Sequence, residues 1–275
     1  MAVYKPTELL EFLKELGISP KKALSQNFLI DGNIIRKIVK SAHLSSDDIV
    51  LEIGSGPGSL TESLLETGAK VIAVEKDRIL ADALNRLKSP GKNLEIHSAD
   101  ILTFPIEKYT SNKKLKVIAN LPYNITTAII AKLVPRRDLF SSLTLMVQEE
   151  VARRFTADPN TPEYGSFTVF LNFFSDPSYA FKVSKNCFYP VPKVESAIVT
   201  LTLKEPPKNL DQEQFFKMTR RAFEQRRKML KVSLKELYDQ SLIQDALRSI
   251  DLSPLARPQE LSLDQFIKLF NRLLA

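Results

Sequence analysis

Cysteine, histidine, tryptophan and glycine are all scarce in this chain of 275 residues, which has one, two, none and eight of them. A lone cysteine, Cys187, excludes an intrachain disulfide. With His43 and His97 as the only imidazoles, no metal site of zinc type is expected. No uncharged apolar run approaches the ~20 residues of a membrane-spanning helix. Met1 to Lys14 carries Glu8 and Glu11 among interrupted leucines, which is not the pattern of a signal peptide. Internal repeats and low-complexity segments are missing too. These absences point to a cytoplasmic enzyme or RNA-binding protein with an ordinary core.

What is present agrees with that. Apolar residues make up 44% and charged residues 26%, enough for one large domain or a large and a small one. A net charge of +7 and a pI near 9.3 favour a polyanionic partner.

The pattern reads as an α/β chain. Thr7 to Leu16 has one leucine face and stops at Gly17. The loop from Lys21 through Gln26, Asn27, Phe28 and Leu29 has the composition of an arm that covers a ligand. Asp31 caps a helix to Ser41. Apolar strands are expected at Ile49–Ile53, Val71–Val74, Leu94–His97, Val117–Ala119 and Leu143–Val147. Helices are expected at Leu60–Thr67, Asp77–Leu87, Ile125–Leu133 and Glu149–Ala157. His97 reads as a strand residue and His43 as a helix-end surface residue. Phe167 to Phe174 suits helix or strand. Tyr179–Val183 and Ala197–Leu203 read as further strands.

Four strands end at residues able to hold a nucleoside. The first runs into Gly54-Ser55-Gly56-Pro57-Gly58, a turn that lets a ligand approach the backbone. The second ends at Glu75, 21 residues after Gly54, where an acid holds ribose hydroxyls. The third leads to Asp100, an acceptor for an adenine amino group. The fourth delivers Asn120-Leu121-Pro122-Tyr123. The glycine spacing is G-x-G-x-G rather than G-x-G-x-x-G, with Pro57 where a pyrophosphate needs an N–H, so a nucleoside without pyrophosphate fits better than a dinucleotide. S-adenosylmethionine is the common one. In the tetrapeptide, Asn120 and the carbonyl of Leu121, held extended by Pro122, are acceptors for an amine, and Tyr123 is a stacking ring. Phe188 or Tyr189, in a stiff Pro190/Pro192 loop, is a candidate second wall of that slot, with core packing as the alternative.

Composition shifts at Lys204-Glu205-Pro206-Pro207-Lys208, a linker signal that divides a domain of residues 1–204 from one of 205–275. Beyond it the chain reads as helix. From Lys204 to Lys235 there are ten Lys/Arg against four Asp/Glu. Arg220, Arg221, Arg226, Arg227 and Lys228, with Lys231, form the centre of this segment and suit phosphate contacts.

The ordered motifs Gln26-Asn27-Phe28-Leu29, Leu51-Glu52-Ile53-Gly54, Val74-Glu75-Lys76-Asp77, Asn120-Leu121-Pro122-Tyr123, Pro192-Lys193-Val194-Glu195-Ser196 and Gln225-Arg226-Arg227-Lys228 resemble those of ribosomal RNA adenine N6,N6-dimethyltransferases. Similarity is greatest to the bacterial small-subunit branch linked to kasugamycin sensitivity. Ser55 and Ala99 stand where that family usually has Pro and Gly. The resemblance implies a doubly wound, seven-stranded methyltransferase (Rossmann-like) sheet with a small all-helical C-terminal domain. It implies S-adenosylmethionine held by Asn27, Leu29, Gly54, Glu75, Asp100 and Asn120, with Gln26 in the covering arm. It also implies a monomer that acts in ribosome biogenesis on two adjacent adenosines in the 3′-terminal hairpin loop of 16S rRNA, in the small ribosomal subunit or its precursor. The alternatives are a large-subunit rRNA methyltransferase of the macrolide-resistance type, a non-catalytic nucleic-acid-binding factor, and a dehydrogenase, which the glycine spacing disfavours.

Overall fold

A computed structural model describes residues 3–21, 24, 26–110 and 113–274. Lys22, Ala23 and Ser25 of the expected covering arm lie outside the described residues. The chain divides into two compact units. One comprises Met1–Ala152 with Ser178–Leu203, and the other Arg153–Pro177 with Lys204–Ala275. The second unit is thus discontinuous: it joins the segment after the linker to an earlier excursion of the chain. That excursion contains Phe167 to Phe174, whose aromatic side chains pack on the later helices.

The large sheet has seven strands: β2 (Ile49–Ile53), β3 (Lys70–Glu75), β4 (Leu94–Ser98), β5 (Leu115–Asn120), β6 (Phe140–Gln148), β7 (Ser175–Val183) and β9 (Ser196–Leu203). Their order is β4-β3-β2-β5-β6-β9-β7. Strands β2 to β6 pair in parallel, and β9 runs antiparallel to β6. β2, β3 and β5 are near-continuous apolar runs because a doubly wound sheet is covered on both faces. Chain order reverses between β2 and β5, so a crevice opens at their carboxyl ends. Ile53 pairs with Ala119 there, and Gly54 and Asn120 therefore emerge side by side.

Among the described residues, the helices of this unit are α1 (Pro6–Glu15), α2 (Gly32–Ser41), α3 (Ser59–Leu65), α4 (Arg78–Ala83) and α5 (Thr126–Leu133). Asp31 caps α2 by accepting from Asn33 N and Ile34 N, as its sequence position predicts. The expected helix over Asp77–Leu87 is instead a short α4 that tightens to 3₁₀ at Leu84–Leu87. A small ladder was not anticipated: β1 (Phe28–Leu29) pairs antiparallel with β8 (Phe188–Tyr189), Phe28 opposite Tyr189 and Leu29 opposite Phe188.

The second unit resolves the helix-or-strand ambiguity. Phe167 to Phe174 lies in α7 (Ser166–Phe174), which follows α6 (Glu149–Phe155) and abuts β7 directly. The remaining helices are α8 (Gln212–Glu224), α9 (Leu230–Ser233), α10 (Gln240–Arg248) and α11 (Leu263–Leu273). Its core is largely phenylalanine. Phe173 sits 5.0 Å from Phe216 and 5.4 Å from Phe215, and Phe215 meets Phe270 edge-on. The Tyr164 hydroxyl donates to the Leu261 carbonyl at 2.9 Å and ties the excursion to the C-terminal helices. Phe173→Ala, at a site with no solvent exposure, is expected to cost about 3–5 kcal/mol of this unit's stability. A lowered urea midpoint followed by far-ultraviolet circular dichroism would show it; an unchanged midpoint would contradict the packing.

Candidate active site

The crevice between β2 and β5 is a cleft of about 970 Å³, counted to its open mouth. Most residues expected from the sequence line it: Gln26, Asn27, Gly54, Glu75, Asp100 and the whole of Asn120-Leu121-Pro122-Tyr123. Leu29 lines a smaller adjoining cavity that shares Phe28, Gly54, Gly56 and Asn120 with the cleft.

Asn120 is held by the covering arm. Its Nδ2 donates to the Asn27 carbonyl at 3.1 Å. The amide orientation is thereby set, and Oδ1 is the acceptor that the side chain has left to offer. Next to it, Leu121 N donates to Met146 O, and the Pro122 carbonyl accepts from Ile125 N and Thr126 Oγ1. The Leu121 carbonyl accepts no hydrogen bond from the described residues. Tyr123 is fixed by a 2.7 Å hydrogen bond between its hydroxyl and Ser196 Oγ, and burial raises its phenol pKa.

Glu75 staples two turns. One carboxylate oxygen accepts from Gly56 N and the other from Asp77 N, each at 2.8 Å. Gly56 has φ +55°, a conformation L side chains rarely adopt, and a Cβ there would come 3.2 Å from the Phe28 ring, so glycine lets the turn and the arm's aromatic meet without strain. Burial raises the pKa of Glu75 against those two hydrogen bonds. Asp77 joins the arm to the same corner, accepting from Lys21 Nζ at 2.7 Å and Gln26 Nε2 at 3.4 Å. Asp100 accepts from Leu102 N and from Lys76 Nζ, both at 2.9 Å, and the lysine holds its pKa below the ordinary value. Each of its oxygens keeps a further lone pair for an amine.

Phe188 is not brought to this cleft. It has no solvent exposure and packs with Leu29, Ile35, Ile38 and Ile198 in the core. The reason is the small ladder: pairing with Leu29 turns the Phe188 ring inward. Tyr189 packs around Phe28, Leu9 and Leu80. A second stacking wall from this pair is therefore absent from the described arrangement. His97 behaves as expected, bonded to Glu95 and packed against Phe104 and Tyr109.

The basic segment also separates into two kinds of residue. Arg221 pairs with Glu224 and Glu236, and Arg226 donates to the Thr161 carbonyl at 2.6 Å and to the Pro162 carbonyl. Those two guanidinium groups serve the helical unit itself. Arg220, Arg227 and Lys228 make no ion pair among the described residues.

One buried residue beneath the site did not stand out from the sequence. Glu52, inside β2, is wholly buried. Its Oε2 accepts from Thr61 Oγ1 at 2.7 Å, while Oε1 has no partner. The hydroxyls of Ser55 and Ser59 line the smaller cavity; that of Ser55 faces the Glu52 carboxyl, and that of Ser59 is buried without a partner. A polar group left without a partner beside a cavity suits a polar ligand that completes it. The signal was a carboxylate within an otherwise apolar strand. Burial pushes the Glu52 carboxyl up to about 7 from 4.5. Between these values the folded state binds more protons than the unfolded, so stability falls as pH rises from 4.5 to about 7 and levels off above. Glu75, raised for the same reason, adds to the same slope. Glu52→Gln is expected to flatten this decline in part and to stabilise the protein above pH 7 by up to about 3 kcal/mol. Denaturant midpoints across pH 4.5–8 would check it, and identical slopes in variant and parent would refute it.

Comparisons with known proteins identify the family. The family model for ribosomal RNA adenine dimethylase matches residues 18–274. A protein of Protochlamydia amoebophila named ribosomal RNA small subunit methyltransferase A is 60% identical over 99% of this chain and 98% of its own length. Its namesake in Chlamydia felis is 45% identical over 98% and 95%. Among solved structures, a dimethyladenosine transferase from Plasmodium falciparum superposes with a TM-score of 0.77 at 29% identity, covering 88% of this chain and 95% of that one. The 23S rRNA methyltransferase ErmE gives 0.73 at 28% identity, covering 90% and 100%. A match that runs almost end to end, at such identity and on the same seven-stranded fold, means that the chain belongs to the ribosomal RNA adenine dimethylase family.

Proposed function

We propose that this rRNA adenine dimethyltransferase uses S-adenosylmethionine to place four methyl groups on N6 of two adjacent adenosines, in the 3′-terminal hairpin loop of 16S rRNA in the small ribosomal subunit or its precursor. The observation that carries the reading is the tethered amide of Asn120, beside the unengaged carbonyl of Leu121, at the mouth of a cleft edged by carboxylates. The 60% identical relative, named for the small subunit, supports that choice of RNA over the large-subunit one.

The cleft suits a nucleoside with an amino-acid tail. Glu75 is positioned for ribose hydroxyls, Asp100 for an adenine amine, and Ile53, Val74 and Ile101 offer apolar surface to a ring. The hydroxyls of Ser55 and Ser59 mark the smaller cavity as the polar end. When bound, S-adenosylmethionine supplies an electrophilic methyl group on a sulfonium.

The protein's own task is to make a poor nucleophile point the right way. Adenine N6 is weakly nucleophilic because its lone pair is delocalised into the ring. Asn120 Oδ1 and the Leu121 carbonyl accept its two hydrogens, favour a more tetrahedral nitrogen and aim the lone pair. Positioning of this kind lowers a barrier by several kcal/mol. No strong general base is required, since the nitrogen becomes acidic once alkylated. For the second transfer only one hydrogen remains, so one acceptor suffices. Tyr123, anchored through Ser196, stacks on the base and offsets part of the cost of unstacking it. Arg220, Arg227 and Lys228 contact phosphates, and the chain acts as a monomer.

The first test offers labelled S-adenosylmethionine to small subunits that lack the modification. Dimethyladenosine at two adjacent positions is expected; label only in large-subunit RNA would overturn the assignment. Asn120→Ala is expected to lower kcat by about 10²–10³ with RNA affinity nearly intact. A parallel loss of both would remove its catalytic role. Neutralising Arg227 and Lys228 together is expected to reduce the slope of log K against log salt by about two, while Arg226→Ala lowers the melting temperature instead. An unchanged slope would rule out the phosphate contacts.

A further inference from the structure

The loop Pro190–Glu195 carries two of the most exposed large apolar side chains in the molecule, Val191 at 57% and Val194 at 44%. Lys193 lies between them, exposed and without an ion pair among the described residues. Both ends of this short loop are fastened to the walls of the cleft. Before it, Tyr189 pairs with Phe28; after it, Ser196 is bonded to Tyr123, and both partners line the cleft. The loop itself is stiff. Pro192 is buried, Glu195 accepts from Lys185 N at 2.9 Å, and the Glu195 carbonyl accepts from Glu149 N at 3.0 Å. Prolines restrict the backbone, and β-branched valines have few rotamers to lose. Two rigid apolar side chains are thus held out to solvent beside the place where a base must enter.

Resting on the function proposed above, we infer that Pro190–Glu195 is an apolar wedge for the RNA strand that supplies the target adenosine. A base that leaves its stack leaves apolar faces on its neighbours, and nucleic-acid-binding proteins cover such faces by inserting aliphatic side chains. Val191 and Val194 take that position, and Lys193 meets the adjoining phosphate. An acidic or polar protein partner would match the lysine but not the valines. The wedge and the base-holding turn act together because Ser196 links the loop to Tyr123.

The test uses the full chain with S-adenosylhomocysteine and a hairpin RNA containing the two adjacent adenosines, with 2-aminopurine as the neighbouring base. Wild type is expected to raise the fluorescence severalfold on binding. Val191→Ser with Val194→Ser is expected to bind the hairpin within about threefold of wild type, yet to lose most of that rise and about tenfold in kcat on small subunits. Lys193→Ala is expected to weaken binding and leave the bound-state fluorescence intact. Both valines are exposed, and an unchanged melting temperature verifies the fold. A full fluorescence rise in the double variant would overturn the wedge. So would no rise with wild type: if wild type still methylates small subunits, the wedge alone fails, and if it does not, the proposed function fails with it.

Discussion

The hydrogen bond from Asn120 Nδ2 to the Asn27 carbonyl joins the two halves of the site. Without it, the amide could present nitrogen or oxygen to the cleft with little difference in shape. With it, the covering arm determines which atom is offered. The same arm is held at its other end by Lys21 and Gln26 on Asp77, and by Phe28 against the Gly56 turn. The arm therefore both edges the cleft and orients the acceptor. A ligand that displaced the arm would also release the amide. The sheet supplies the other half of this constraint, since Ile53 and Ala119 are paired neighbours and their successors must emerge together.

The carboxylates at and beneath the strand ends follow a graded logic of burial. Glu52 is buried deepest, has one partnered oxygen, and stays protonated up to about pH 7. Glu75 is buried but receives two backbone N–H groups, which offset part of the desolvation. Asp100 is nearer solvent and is kept ionised by Lys76. Three acids of similar chemistry thus present three different faces: a neutral hydroxyl-like group, a fixed acceptor, and an anion.

The middle of the sheet was legible because its central strands are apolar on both faces and the helices around it carry caps and stripes that only one period explains. The strand-end residues followed, because a parallel sheet puts its ligands at carboxyl ends. Three features were not legible, each for a physical reason. Phe167 to Phe174 has only two polar residues, Thr168 and Asn172, too few to set one period against the other. Phe188 turned inward because of a two-residue ladder with Leu29, a pairing across about 160 residues that no local pattern signals. Glu52 was hidden because a single acid in a strand looks the same whether it faces a cavity or solvent.

The basic segment shows why charge density overstates a binding surface. Arginine has five donors, and a folded unit with unsatisfied carbonyls competes for them. Arg226 caps the Thr161 and Pro162 carbonyls, and Arg221 is neutralised by two glutamates, so the local excess of positive charge is larger than the charge free to meet phosphate. What remains is Arg220, Arg227 and Lys228, whose side chains make no ion pair among the described residues. Arg226 and Arg227 are adjacent and chemically identical, yet removing the first removes a tether and removing the second removes a charge. A loss of RNA binding by a variant of both would therefore mix two causes, and only separate substitution resolves the phosphate contact from the folding of the unit that presents it.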